Sequence, residues 1–105
     1  MIIALVVGDS IWPWKMKFED IEFDTLENLS GGEDKVARIE VNGYDVSIVR
    51  REFSHGGNKG LYEMAIFSNG LMRDVLNWGD EVKGWLSPED IEKELSELGK
   101  KSIDT

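Results

Sequence analysis

The dipeptide Asn42-Gly43, set between two alternating apolar runs, constrains this chain more than any other feature. A two-residue Asn-Gly loop selects a type I′ turn, because both central residues must take positive φ and these two tolerate it best. The turn then dictates the register of the strands it joins. Val41 falls opposite Tyr44, Ile39 opposite Val46 and Ala37 opposite Ile48, all on one face. Arg38/Ser47 and Glu40/Asp45 fall on the other. Turn geometry and burial pattern therefore demand the same register, since a slip of one residue would turn the whole apolar set out to water. Glu40 opposite Asp45 is a like-charge pair, tolerable where the face is wet. Ala37 to Arg51 thus reads as a β-hairpin whose inner face needs a cover.

A second Asn-Gly pair, Asn69-Gly70, lies between Leu61–Phe67 and Leu71–Trp78. Here a two-residue loop would set Ala65 against Asp74 and Glu63 against Leu76, which mixes the faces. A longer, bulged turn around Ser68-Asn69-Gly70 is expected, with the register left open. Ser54–Gly60 (SHGGNKG) connects the two hairpins, and Ser30-Gly31-Gly32-Glu33-Asp34 reads as a loop. Ile2–Val7 is a continuous aliphatic run closed by Gly8-Asp9-Ser10, the pattern of a strand buried on both faces, and is placed centrally in the sheet. Val82–Leu86 reads as a short edge strand. Met16–Leu29 fits neither period, and a short helix or irregular segment is expected there.

A helix is predicted over Pro88–Leu98. Ser87 serves as N-cap, Pro88 takes the first helical position, and Asp90 completes a capping box with Asp in place of Glu. Glu89 and Asp90 face the positive end of the helix dipole. Ile91, Leu95 and Leu98 form one narrow apolar stripe, which must dock on the sheet or on a partner. Gly99 is assigned the left-handed C′ position, followed by Lys100 and Lys101. The fold class is α+β: one domain over residues 1–105, with a mainly antiparallel sheet of about five strands and a C-terminal helix packed on one face. The sheet consists of two β-hairpins and the N-terminal strand. At 105 residues such a chain can close one core without staples.

Composition removes several functions. With no cysteine, thiolate chemistry and cysteine-based metal sites are excluded. The net charge of −9 disfavours direct binding to nucleic acid, which needs Lys and Arg to neutralise phosphates. The acid is uneven: residues 1–35 hold eight Asp/Glu against three Lys/Arg, residues 36–70 four of each, and residues 71–105 nine against five. The Met1–Val7 run is far short of the ~20 residues of a membrane span. It has neither the basic start nor the small-residue cleavage site of a signal peptide. A cytoplasmic protein without membrane contact is expected.

Gly8-Asp9-Ser10 after a strand resembles the nucleophile block of GDS-type esterases. That chemistry needs a base, and the chain's one histidine, His55, sits mid-chain in a loop. The block is read as a strand-ending turn. His55 has no second histidine or cysteine for a zinc site, and no acidic loop has calcium spacing. The Gly56–Gly60 stretch, with Arg50, Arg51, His55 and Lys59 around it, is a candidate anion contact through a backbone nest, or else a plain connecting loop. Of the four tryptophans, Trp78 and Trp85 are assigned to the core, while Trp12 and Trp14 are divided between core and interface. Glu19, Asp20, Glu22, Asp24 and Glu27 near the front, and Glu89, Asp90, Glu92, Glu94 and Glu97 on the helix, form two acidic sets. Each is a solvated face or a mimic of phosphate spacing.

Three blocks stand in order: Asn42-Gly43-Tyr44, Gly60-Leu61-Tyr62-Glu63, and Gly84-Trp85-Leu86-Ser87-Pro88-Glu89-Asp90-Ile91. Together they resemble small bacteriophage and prophage proteins of unknown function, which pair an NGYxVSVV strand with a glycine-rich loop, GLYExAV, and GYL(T/S)xE(E/D)V before a terminal helix. The likeness covers about residues 42–99. It departs at Met72–Asp80, where the family often has a YDTPITDDV-like stretch and this chain has MRDVLNWGD. It implies phage origin and a shared fold, and it carries no active site.

The expected function is that of a non-enzymatic accessory protein without cofactor that binds a host or phage protein, one with a basic nucleic-acid-binding surface. Its most concrete form is an acidic inhibitor of a host defence factor in the host cytoplasm, of anti-restriction or anti-CRISPR kind. Trp12, Trp14, Glu19, Asp20, Glu22, Asp24 and Glu27 are its candidate contacts. The alternatives are a regulatory or assembly module acting as a homodimer, and a small ligand-binding protein using the 54–60 loop.

Overall fold

The computed structural model describes residues 4–6, 17–27, 31–51, 54, 56 and 59–100. Among these, seven strand segments, one 3-10 turn and one helix follow in the order β1 (Ala4–Val6), 3-10 turn (Phe18–Asp20), β2 (Asp24–Glu27), β3 (Glu33–Val41), β4 (Tyr44–Arg50), β5 (Tyr62–Ser68), β6 (Leu71–Met72), β7 (Val82–Leu86) and α1 (Pro88–Lys100). The segments occupy five lanes. β3, β4 and β5 are the long central ones, and each flank is shared by two short pieces. β2 pairs antiparallel with the first half of β3, and β1 runs parallel to its second half. On the opposite flank β7 and β6 divide the edge of β5 in the same way.

The first hairpin has the register that its turn demands. Val41 pairs with Tyr44, Ile39 with Val46 and Ala37 with Ile48. Asn42 and Gly43 sit at φ 55° and 84°, the left-handed pair of a type I′ turn. Ala37, Ile39, Val41, Val46 and Ile48 are all buried, and Arg38, Glu40 and Asp45 are exposed. β3 begins earlier than the sequence indicates. Glu33 and Asp34 belong to it, because β2 supplies them with partners in Glu27 and Leu26.

The second hairpin corrects an expectation. Its turn is as tight as the first, with Asn69 and Gly70 at φ 54° and 80° and Ser68 opposite Leu71. The mixed faces never arise, because β6 leaves the sheet after Met72. Arg73 N–H still donates to Ile66 C=O at 2.9 Å, and β7 then takes over the lane, setting Val82 opposite Ala65. The N-terminal strand is a second correction. It flanks β3 at the end of the sheet order rather than lying at its centre. The apolar composition of a run does not fix its number of strand neighbours. A third concerns Met16–Leu29: the 3-10 turn agrees with a short helical piece, but Asp24–Glu27 is a strand held by its ladder to β3, not by its own propensity.

The helix packs on the inner face. Ile91, Leu95 and Leu98 are fully buried and join one cluster with the inward residues of β3, β4 and β5 and with Leu86. Its capping box is formed: Ser87 N–H donates to Asp90 Oδ2 at 3.0 Å, and Asp90 N–H donates to Ser87 Oγ at 3.1 Å. Gly99 does not terminate it. The helix continues to Lys100 with Gly99 buried, and Asn42 Nδ2 of the hairpin turn donates to Leu98 C=O at 3.1 Å. A side chain from the sheet thus serves a carbonyl that a left-handed glycine was expected to release. Among the described residues no helix is long and apolar enough to cross a membrane.

Candidate interaction surface

One of the sequence's acidic stretches meets the other at a single point, through Phe18 and Glu92. Phe18 turns its ring into an aromatic trio with Phe23 and Tyr62, centroids 5.3–5.5 Å apart, which anchors the 3-10 turn to the inner face. Its N–H donates to Glu92 Oε2 at 2.6 Å, tying the turn to the helix. Asp20 folds back to accept Lys17 N–H at 3.1 Å. The 3-10 turn, with exposed Glu19 and Asp20 and followed by exposed Glu22, is thereby brought against the helix that carries exposed Glu89 and Asp90 in its first turn. Asp90 has its carboxyl below its ordinary 3.8, chiefly through the hydrogen bond from Ser87 N–H and then that with the Ser87 hydroxyl. Asp24 and Glu27 do not join this surface. They lie on β2, at the far flank of β3.

Trp12 and Trp14 lie outside the described residues. Trp78 is half-buried against the core, as assigned. Its Nε1 donates to Glu94 Oε1 at 2.9 Å, and Lys83 Nζ meets Glu94 Oε2 at 2.8 Å, so a carboxylate only 8% exposed is satisfied on both oxygens. A shallow cleft of about 400 Å³ lies over this pair, between Leu76–Trp78 and the helix. Asp74 holds the loop in place by accepting the N–H groups of Trp78 and Gly79 at 2.7 and 2.9 Å.

Trp85 contradicts its core assignment, being 56% exposed. It sits in a β-bulge, where Lys83 to Leu86 on β7 spans what Met64 to Tyr62 covers on β5. Its φ is +60°, rare for a bulky residue. Gly56 packs beneath it so closely that a Cβ there would lie 3.0 Å from Trp85 Cα and 3.2 Å from the indole. The bulge breaks the alternation that would otherwise have turned this ring inward. The adjacent Gly84 is the one sequence signal that could have shown it.

The candidate anion contact is described only in part. Arg50 is half-buried with its guanidinium over the Tyr62 ring at 5.5 Å, directed at the aromatic trio. Exposed Arg51 has its backbone N–H and C=O engaged by Ser54 Oγ at 2.8 and 2.9 Å. Lys59 is exposed and its N–H closes a turn onto Gly56 C=O. His55 lies outside the described residues. Among the described residues no group of three or more acidic or histidine side chains is placed to hold a metal ion. No family model, curated protein or solved structure matches the chain.

Proposed function

We propose that this chain is a non-enzymatic, phage-type accessory protein that binds a host macromolecule through carboxylates, most concretely a host defence or nucleic-acid-handling protein with a basic groove. The observation that carries the reading is the Phe18–Glu92 hydrogen bond, because it joins the turn of one acidic stretch to the helix of the other across 74 residues of chain. A turn bearing exposed Glu19 and Asp20 thus meets a helix whose first turn bears exposed Glu89 and Asp90, on a molecule of net charge −9. Such a surface draws a basic partner in by long-range attraction and occupies the positions that phosphates would take. The phage origin rests on the ordered sequence blocks over residues 42–99.

The test is affinity purification of the tagged chain from a bacterial host lysate, alongside Glu19→Lys/Asp20→Lys/Glu22→Lys. The reading predicts a co-purifying basic protein that the triple variant fails to retain and that raised salt releases. Equal capture by both chains overturns it.

A further inference from the structure

The two Asn-Gly turns share a backbone and differ in what holds it. Asn42 and Gly43 sit at φ 55° and 84°, Asn69 and Gly70 at φ 54° and 80°. Behind the first turn, β3 and β4 pair at seven positions, from Val41 opposite Tyr44 to Lys35 opposite Arg50. The Asn42 side chain is fastened as well, its Nδ2 donating to Leu98 C=O at 3.1 Å. Behind the second turn, β6 brings only Leu71 and Met72 to the ladder, opposite Ser68 and Phe67. Leu71 is 57% exposed and Met72 37%. Asn69 and Gly70 are themselves exposed, and no described residue hydrogen-bonds the Asn69 side chain.

We infer that Asn69 is a site of spontaneous modification, converting to aspartate and isoaspartate, and that the fold protects Asn42 from the same reaction. A glycine after the asparagine leaves the attacking nitrogen unhindered by a Cβ. The Gly70 nitrogen gives its proton to solvent base and attacks Asn69 Cγ. A C–N bond forms, the Cγ–Nδ2 bond breaks, and the side-chain nitrogen takes a proton and leaves as ammonia. Water then opens the cyclic imide at either of its carbonyls. One cleavage leaves an aspartate, the other an isoaspartate whose main chain is longer by a methylene. In the left-handed turn conformation the glycine nitrogen points away from Cγ, so ring closure waits for the turn to open. Opening at Asn69 costs two ladder pairs on a flank of the sheet. Opening at Asn42 breaks into two long strands inside the strand order and releases the bond to Leu98. Asn28, Asn58 and Asn77 precede Leu29, Lys59 and Trp78, whose side chains hinder the attack. Each conversion adds a carboxylate to a chain already at −9.

The experiment incubates the folded full chain in mildly alkaline buffer and follows each asparagine by peptide mapping and mass spectrometry, with aspartate and isoaspartate products separated. A parallel sample is kept unfolded in guanidinium chloride. Expected in the folded chain is conversion at Asn69 at least about fivefold faster than at Asn42, the factor that the usual net contribution of one hydrogen bond represents. In the unfolded chain the two rates should converge, because only the following glycine then governs them. Conversion of Asn42 as fast as that of Asn69 in the folded chain would overturn the protection. The same ratio of rates in folded and unfolded chains would overturn it too, by tracing the preference to local sequence. Conversion led by Asn28, Asn58 or Asn77, or none at Asn69 while the unfolded chain converts, would overturn the site.

Discussion

Trp85 is the residue whose local chemistry the surrounding structure overrides most. A side chain of its size in the left-handed region costs ~1–2 kcal/mol, and more than half of the ring is in water. The bulge fixes that backbone, and Gly56 can pack beneath it because it has no Cβ. Glycine at position 85 would remove the strain while losing the partial burial of the indole. Trp85→Gly is therefore expected to leave unfolding stability within about 1 kcal/mol of the parent. Trp85→Val, β-branched in the same conformation, should be less stable than the glycine variant by a further ~1 kcal/mol or more. Urea denaturation of the three chains measures this, and equal stability of the valine and glycine variants would show that the left-handed backbone carries no cost. An exposed tryptophan held at such expense is the kind of residue that anchors interfaces. Only Gly84 hinted at its exposure, since alternation along a strand predicts a face only where the ladder is regular.

The helix shows the reverse, an element almost fully written in its own residues. Ser87, Pro88 and Asp90 set its start, and Ile91, Leu95 and Leu98 set its buried stripe. Replacing Ser87 by Ala should cost about 1 kcal/mol through the lost cap. Asp90 makes that start sensitive to acid. Its carboxyl has a lower pKa in the folded state than its ordinary 3.8, so its contribution is complete above that value and is lost as pH falls from there through the lower folded value. Stability thus rises with pH across this window. Asp90→Asn should flatten the rise, read as a smaller difference in thermal midpoint between about pH 3 and pH 5. A slope identical to that of the parent would mean that Asp90 does not carry it. The helix end was not predicted correctly, because Gly99 was read from its type alone. Asn42, 56 positions before Leu98, supplies the donor to that end's carbonyl.

At the scale of the whole molecule, charge and architecture are separable. Among the described residues the core is one sheet face under one helix, and its members are uncharged except for Glu94, which is paired with Trp78 and Lys83. The excess acid lies outside it and repels itself. Sodium chloride should therefore stabilise the protein, since screening shortens the reach of surface charges from ~30 Å at 0.01 M to ~10 Å at 0.1 M. A rise in thermal midpoint of a few degrees over that range is expected, against the ~4–8 °C that 1 kcal/mol represents in a domain of this size. A midpoint that stays level or falls would place the carboxylates too far apart to repel.

The chain's own residues determined what depends on neighbours in sequence: the Asn42-Gly43 hairpin with its register, the capped helix, the α+β class, and the surplus of acid. Turn chemistry, capping and periodicity act over a few residues, so they can be read before anything folds. Tertiary structure alone decided the rest. It moved β1 to a flank, made Asp24–Glu27 a strand by lending it β3, cut β6 short so that Asn69-Gly70 could close tightly, and turned Trp85 outward. It also joined Phe18 to Glu92, bringing the 3-10 turn to the helix. Each of these depends on which distant segment supplies a partner for an open ladder edge or an unpaired N–H, and no local pattern encodes that choice.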